Sequence, residues 1–338
     1  MKLPTTKTTG INVLSLFCGI SGSRLALESV GIPVANFYSS EVDKSALAVQ
    51  NYHFSADTTF HQIGDVKNVR ALELPEIDFC IFGSPCTNLS NVGDRTGFNG
   101  ENESSLFAEA VRILSELKKI ADRKNKPFYF LMENVQMKKE FEYHITSELE
   151  KVFPGEVNMI KLNSSLLCCA NRRRTYWSNY KNVEPEPVNA SFQDALVNGY
   201  VDRGREKANV LLGNNCTLTG GIRRFYSMNI GNIVFKDKEF ADLEPETKLR
   251  LYPDILLKSG YKGKAGSSPD EYSYENGCYR TISILESERC QGIKEGFLSN
   301  LPTRVISKTN CIRAIGLGFS IPIITHLVTP LNELLLSK

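Results

Sequence analysis

Cys86 is the residue in this sequence best placed to act as a nucleophile. It follows Gly83, Ser84 and Pro85 at the end of an apolar run that starts at Phe79. Such a run predicts a buried strand leading into a loop, and loops at strand ends often carry reactive side chains. Most lone cysteines are small buried hydrophobes, so a catalytic interpretation of Cys86 depends on the groups that accompany it.

An acid and two arginines could complete a site for covalent chemistry. Glu133 follows another predicted strand and could protonate or hydrogen-bond a ring nitrogen while a thiolate attacks a ring carbon. Arg172 and Arg174 are two residues apart before a Tyr-Trp strand, which would point both to one face. They could anchor a carbonyl or lower the pKa of the thiol. The alternative is a surface arginine cluster.

Residues nearer the N-terminus favour an adenosine-bearing cofactor. Gly19 and Gly22 follow the first predicted strand but lack the first glycine of the dinucleotide fingerprint, so this motif is weak alone. Glu41 follows about 20 residues later, where an acid conventionally accepts ribose hydroxyls. Asp65 could accept from an adenine amino group. Either acid could instead cap the next helix.

A predicted α/β sheet would place these residues together. Strand candidates are 11–17, 36–39, 58–63, 78–82, 128–132, 157–162 and 175–177, and helix candidates are 25–30, 43–52, 104–121 and 145–153. Strands that alternate with helices predict a mainly parallel sheet with helices on both faces. Gly19, Glu41, Asp65, Cys86 and Glu133 all follow strands, at the carboxyl edge where such sheets bind ligands.

The regular alternation stops near Tyr180, and a Glu-Pro-Glu-Pro stretch at 184–187 is a predicted linker. Residues 181–278 form a second region, rich in Gly, Asn and Tyr, and the regular pattern returns at Tyr279. We therefore expect a domain at 1–180, a second at 181–278, and a C-terminal part at 279–338 that returns to the first.

Composition limits the class of protein. The 338 residues are 41% hydrophobic and 23% charged, as in ordinary globular proteins. Nine cysteines without a Cys-x-x-Cys pair, and only four histidines, predict neither a disulfide framework nor a structural zinc site. The net charge of +2 neither requires nor excludes a polyanionic partner. We find no signal peptide and no apolar run of membrane-spanning length, so we expect an intracellular protein.

The chain resembles the DNA (cytosine-5-)-methyltransferases, and is most similar to the catalytic domain of the animal de novo type. The matching segments, in the family's order, are 17–22, 40–42, 64–66, 83–86, 133–135, 172–174, Arg280 with 286–292, and 316–327. One departure is Leu317, where the family frequently has Asn. The resemblance implies a Rossmann-like S-adenosylmethionine-dependent methyltransferase sheet with a smaller target-recognition domain at 181–278.

The resemblance also implies a mechanism that needs no metal. Cys86 would add to carbon 6 of a flipped cytosine while Glu133 engages ring nitrogen 3. Carbon 5 would then attack the methyl group of S-adenosyl-L-methionine, leaving S-adenosyl-L-homocysteine as product. Arg174 would hold the base carbonyl and Arg172 would support the Cys86 loop. The polar segment 87–103 would be a mobile lid over the extruded base.

Further site residues follow from the same resemblance. The cofactor positions are Phe17, Gly19, Ile20, Gly22, Glu41, Val42, Asp65, Val66, Pro85, Gly318 and Phe319, with Glu41 on the ribose and the two valines flanking adenine. The candidate DNA contacts are Ser90, Arg223 and Arg224.

Double-stranded DNA is the expected partner of a monomer or homodimer that does not bind membranes. The chain begins almost at the first motif, which favours a standalone catalytic unit such as a restriction-modification enzyme. It would be cytoplasmic in a microbe or virus and nuclear in a eukaryote. Alternatives are a transfer RNA cytosine-5 methyltransferase, a catalytically silent DNA-binding partner, and a nicotinamide-dependent oxidoreductase of similar fold.

Overall fold

The computed structural model describes residues 9–85, 103–211, 221–258, 266–267, 274–275 and 279–336. The predicted nucleophile Cys86, residues 87–102 of the predicted lid segment 87–103, and the predicted DNA contact Ser90 lie outside these ranges. The described residues form two compact units. The first comprises Met1–Asn163, Arg173–Pro185 and Ile323–Lys338, and the second comprises Ser164–Arg172 and Glu186–Pro322.

A seven-stranded sheet forms the centre of the first unit. Its strands are β1 Ile11–Leu16, β2 Val34–Ser40, β3 Phe60–Gln62, β4 Phe79–Gly83, β5 Tyr129–Val135, β6 Asn158–Asn163 and β7 Arg173–Ser178. Their order across the sheet is β3-β2-β1-β4-β5-β7-β6. Neighbours from β3 to β5 are parallel, which confirms the predicted α/β class.

Strand β7 runs antiparallel to both β5 and β6. Only residues 164–172 connect β6 to β7, and a parallel neighbour would need a crossover of a dozen or more residues. The short connection therefore fixes the direction of β7. This reversal brings the start of β7 beside the end of β5.

Four helices accompany the central strands. They are α1 Gly22–Val30, α2 Lys44–Phe54, α3 Glu103–Arg123 and α4 Lys139–Glu150. Gly31, at a φ of 78°, ends α1 in the left-handed region as a glycine can. Asp43 caps α2 by accepting from the backbone N–H groups of Ser45 and Ala46. Both ends lie within a residue or two of those predicted from sequence.

Helix α3 supplies much of the core of the first unit. Its apolar residues recur at helical spacing and lie in the same buried cluster as inward-facing residues of β1, β4 and β5. The buried α3 members are Phe107, Ala110, Ile113, Leu114, Leu117 and Ala121.

The second unit contains a smaller sheet and short helices. Its elements are α5 Phe192–Ala195, α6 Gly221–Met228, β8 Ile233–Phe235, α7 Lys238–Ala241, α8 Pro245–Lys258, β9 Gly266–Ser267, β10 Tyr274–Glu275, β11 Tyr279–Thr281, α9 Ile284–Gln291 and α10 Lys308–Leu317. The last helix of the chain, α11 Ile321–Leu336, belongs to the first unit from Ile323 onward. The strand order is β8-β11-β10-β9, all antiparallel.

Residues 279–322 group with the second unit, and Ile323–Lys338 groups with the first. Strand β11 pairs with β8, and Tyr279 lies in one buried cluster with Ile222 and Phe225 of α6. A target-recognition domain at residues 181–278 stays a prediction.

In the described ranges, no single helix is both long and apolar enough to cross a membrane. One pair, Lys308–Leu317 with Ile321–Leu335, meets the criteria of length and composition jointly but is bent by 45°. Its second helix carries Ile324, Leu327 and Leu331, all fully buried in the structure.

Candidate active site

Glu133 and Arg174 form an ion pair where β5 ends and β7 begins. The antiparallel register places Val135 opposite Arg174, and Nε of Arg174 lies 2.7 Å from Oε1 of Glu133. Glu133 is only 9% exposed. The contact is an ion pair without the alignment of a hydrogen bond, so Oε1 keeps its hydrogen-bonding capacity. This is the acid and one of the cations predicted from sequence.

A buried amide connects this edge to the chain just before Cys86. Nδ2 of Asn134 donates to Oγ of Ser84 at 3.1 Å, and Oδ1 of Asn134 accepts from the backbone N–H of Val135 at 2.8 Å. Asn134 is 1% exposed. The bond therefore fixes the backbone two residues before Cys86. Sequence reasoning assigned no role to Asn134, although its place after a buried strand was the available signal.

Thr175 lies directly opposite Asn134 in the β5–β7 ladder. It is fully buried, and its hydroxyl has no hydrogen-bond partner. A buried hydroxyl without a partner contributes no bond to stability. Thr175 is therefore a matched reference for Asn134, since both are buried polar residues at the same level of the sheet.

Arg172 belongs to the second unit. It is buried, and its Nη1 donates to the backbone carbonyl of Gly316, near the end of α10, at 2.9 Å. The structure thus brings Glu133 and Arg174 into contact within one unit and ties Arg172 to α10 within the other.

The loop after β1 has the left-handed backbone typical of a ligand-binding turn. Phe17, Gly19 and Ser21 have φ values of 52°, 56° and 67°. For the two non-glycine residues this conformation costs about 1–3 kcal/mol each and must be held by the surroundings. The buried Gln50 helps to hold it, because its Nε2 donates to the carbonyl of Gly19 at 2.7 Å. Gln50 was not predicted from sequence.

Glu41 holds the same loop from the end of β2. Its Oε2 accepts from the N–H of Gly19 at 2.6 Å, and Oε1 accepts from the N–H groups of Val42 and Asp43 at 2.7 and 2.8 Å. A carboxylate offers about four acceptor positions, so capacity for a further donor remains. Asp43, not Glu41, caps α2, so the capping alternative for Glu41 is wrong, and a contact of Glu41 with a ribose stays a prediction.

Val42, Asp65 and Val66 are the residues predicted to surround an adenine ring. Val42 is 63% exposed, whereas Val66 is buried. Oδ1 of Asp65 caps the turn after β3 by accepting from the N–H of Lys67 at 2.9 Å. Oγ of Ser40 donates to the carbonyl of Gly64 at 2.8 Å and links these two strand ends. Contacts of these residues with an adenosine stay a prediction.

The other predicted cofactor residues lie in different places. Ile20 and Gly22 are buried at the start of α1, and Pro85 is half-buried after β4. Gly318 and Phe319 lie at the end of α10 in the second unit. For Arg223 and Arg224 the structure gives only their place on α6; their side chains fall outside what it describes.

The sheet order and the strand-end residues define a methyltransferase of the Rossmann-like class. A family model described as C-5 cytosine-specific DNA methylase matches residues 11–154. The type II methyltransferase M.HhaI of Haemophilus parahaemolyticus is 31% identical over 328 residues, covering 91% of this chain and 84% of that protein. The chain belongs to the C-5 cytosine-specific DNA methylase family.

Other relatives match over shorter stretches. The type II methyltransferase M.Bsp6I of Bacillus sp. (strain RFL6) is 26% identical over 204 residues, covering 55% of this chain and 60% of that protein. The orphan methyltransferase M.Rho11sI of Bacillus phage rho11s is 33% identical over 126 residues, covering 37% of this chain and 23% of that protein. The chain thus spans less than two thirds of both relatives.

Solved structures show the same fold over nearly the whole chain. The Dnmt2 methyltransferase of S. pombe has a TM-score of 0.62 at 16% identity, covering 96% of this chain and 99% of that chain. A DNMT2 variant of Spodoptera frugiperda has a TM-score of 0.60 at 14% identity, covering 94% and 98%.

Proposed function

We propose that this protein methylates carbon 5 of cytosine in double-stranded DNA through a covalent adduct at Cys86. The observation that carries the proposal is the Glu133–Arg174 ion pair, whose neighbour Asn134 holds the backbone two residues before Cys86. The family model, described as C-5 cytosine-specific DNA methylase, and the relatives named as type II and orphan methyltransferases support the same reaction.

Each residue has a separate task in this proposal. The Cys86 thiolate adds to carbon 6, and Glu133 holds a proton against ring nitrogen 3, so the charge that develops on the ring is neutralised as it forms. Arg174 keeps the Glu133 carboxyl in place and contacts the base carbonyl. Loss of the carbon-5 proton and of the thiol restores aromaticity. Asn134 is a positioning residue.

S-adenosyl-L-methionine would supply an electrophilic methyl group to the ring carbon. Glu41, Asp65, Val42 and Val66 would hold its adenosine, and the loop at 17–22 would approach the remainder. Gly318 and Phe319 would complete the cofactor site. No step is assigned to a metal.

DNA would have to present the cytosine outside the helix, because carbon 6 cannot be reached within a stacked duplex. We assign target recognition to residues 181–278, with Arg223, Arg224 and Ser90 as candidate contacts. Transfer RNA is the alternative substrate.

The test is a competition between equal concentrations of double-stranded DNA and transfer RNA for labelled methyl groups from S-adenosyl-L-methionine. We expect the label on DNA, abolished in Cys86→Ala and retained in Thr175→Val. Label on transfer RNA alone would overturn the DNA assignment. Full activity in Cys86→Ala would overturn the covalent mechanism.

A further inference from the structure

Two buried thiols from distant parts of the sequence are in contact within the second unit. The sulfur atoms of Cys169 and Cys290 are 3.5 Å apart, although 121 residues separate the two positions. Cys169 is 5% exposed and Cys290 is fully buried. The proposed methyl transfer uses neither. A disulfide bond has a sulfur–sulfur distance of about 2.05 Å, so bond formation would require the sulfurs to approach by about 1.5 Å.

The surroundings make Cys169 the more acidic thiol of the pair. Its hydrogen bond with Cys290 lowers the pKa of Cys169, burial opposes this, and the ammonium of Lys207 lowers the pKa further. The same hydrogen bond and burial raise the pKa of Cys290. Nζ of Lys207 is held nearby, since it donates to the carbonyls of Cys168 and Ala190. The thiolate is the form that attacks oxidants.

The two cysteines differ in how firmly they are held. Cys290 lies on α9, which begins with a capping box and ends at Gly292 in the left-handed region. Cys169 lies in the connection between β6 and β7, where its carbonyl accepts from the N–H of Ala208 at 2.7 Å. Formation of a disulfide bond would therefore move the connection between β6 and β7 more than it would move α9.

Arg172 follows Cys169 by three residues in that same connection. Its Nη1 bond to the carbonyl of Gly316 is 2.9 Å long, and a displacement of about 1 Å is enough to break a bond of this length. A shift of Cys169 toward α9 would thus disturb Arg172, which the family resemblance predicts to support the Cys86 loop.

We propose that Cys169 and Cys290 are an oxidisable dithiol that hydrogen peroxide converts to a disulfide, and that this bond displaces Arg172 and slows methyl transfer. The Cys169 thiol gives up its proton, the thiolate attacks one peroxide oxygen, and the O–O bond breaks to leave a sulfenic acid and hydroxide, which takes up that proton to become water. The Cys290 thiol then attacks that sulfur and expels the hydroxyl as a second water. The two thiols lose two electrons and the peroxide gains two.

The first test is independent of methyl transfer. The full-length protein is treated with hydrogen peroxide, its thiols are blocked by alkylation, and its peptides are identified by mass spectrometry. We expect a cross-link between the Cys169 and Cys290 peptides that dithiothreitol reverses. Cys168→Ser is the matched control and should form the same cross-link, because the Cys168 thiol is bonded instead to the carbonyl of Ser164. Cys290→Ser should not form it.

Absence of the cross-link at peroxide doses that oxidise other thiols of the same sample would overturn the proposal. So would a cross-link that forms equally fast in protein unfolded by urea, because the native contact would then give no advantage.

The second test concerns Arg172 and rests on the proposed function. Methyl transfer is measured after peroxide treatment and divided by the fraction of Cys86 that remains unoxidised. We expect this corrected rate to fall with the cross-linked fraction, by up to about 100-fold at completion, and to stay constant in Cys290→Ser. A constant rate in cross-linked wild type would overturn the effect on Arg172. Absence of methyl transfer in the reduced wild-type protein would instead refute the proposed function. The mass-spectrometric result would still show whether the disulfide forms.

Discussion

At the scale of single residues, the site depends on buried polar groups that meet across strands. The carboxyl group of Glu133 is only 9% exposed and lies beside the guanidinium of Arg174. Removing one partner of such a pair leaves a buried charge without compensation. The side chain of Arg174 therefore has both a structural and a chemical task.

Arg174→Ala should destabilise the fold by about 3 kcal/mol, the lower range for breaking a buried ion pair. It should also slow methyl transfer by about 100-fold, comparable to loss of one electrostatic contact to a reacting group. Urea unfolding and single-turnover transfer would measure the two effects. Arg173→Ala is the control, since Arg173 is the exposed neighbour on the same strand, and should change neither quantity.

Asn134→Ala should cost about 1–3 kcal/mol, because it leaves the N–H of Val135 and the hydroxyl of Ser84 without this partner. It should lower kcat with little change in KM for S-adenosyl-L-methionine, since the lost bond holds Ser84, two residues before Cys86 in the sequence. Thr175→Val removes a buried hydroxyl that has no partner and should keep both stability and rate. Equal losses in the two variants would contradict a positioning role for Asn134.

At the scale of elements, helix α9 is fixed by one buried carboxylate. Glu286 is fully buried and forms a capping box with Ser283. It also receives Nη1 and Nη2 of Arg280 at 2.7 and 2.6 Å and the N–H of Val197 at 2.8 Å. Burial raises the pKa of Glu286, but Arg280 and the backbone donors outweigh it, so the pKa is lowered overall.

Glu286→Gln should destabilise the protein by about 3 kcal/mol at pH 7. Because the folded pKa is below the ordinary value of 4.5, the wild-type contribution is complete above that value and is lost as pH falls below it. The difference between wild type and variant should therefore shrink in acid, which urea unfolding at several pH values would measure. Glu295→Gln should show a much weaker dependence of the same sign, because Arg289 also lowers the pKa of Glu295 but the pair is exposed and screened by water. A pH-independent difference for Glu286→Gln would refute this account.

Sequence patterns predicted the elements of the first unit because apolar runs and helical spacing are local signals. The strand ends that carry Glu41, Asp65 and Glu133 were located in this way. The reversal of β7 was missed because residue spacing does not encode strand direction. It is this reversal that brings Arg174 to Glu133.

Contacts between distant residues could not be predicted. Lys248 is fully buried and donates through Nζ to Asp202 at 2.5 Å, and Tyr226 donates to the same carboxylate at 2.7 Å. Lysine is almost never buried without a partner, and no local pattern reveals a partner 46 residues away. The Asn134–Ser84 bond and the Cys169–Cys290 contact were missed for the same reason.

At the scale of the whole molecule, a cofactor that binds only the folded protein should stabilise it. S-adenosyl-L-homocysteine at 100 times its Kd would add about 2.7 kcal/mol and raise Tm. The Glu41→Gln variant should bind S-adenosyl-L-homocysteine more weakly and show a much smaller rise in Tm. In that variant an amide N–H donor replaces one carboxylate oxygen of Glu41 and faces the backbone N–H groups that the oxygen accepted from. Glu28→Gln is the control, since Glu28 lies on the surface of α1. Equal shifts in the two variants would contradict a role for Glu41 in binding.

Covalent trapping would show whether Cys86 forms the proposed bond to cytosine. In a duplex whose cytosines carry fluorine at carbon 5, the adduct cannot lose the fluorine as it would lose a proton, so the thiolate is not expelled and the protein stays attached after transfer. Incubation with S-adenosyl-L-methionine, digestion and mass spectrometry would locate the attachment. We predict a methylated fluorocytosine bound to the sulfur of Cys86, and none in Cys86→Ala. Attachment at another cysteine, or 5-methylcytosine formed in ordinary DNA by Cys86→Ala, would contradict the account.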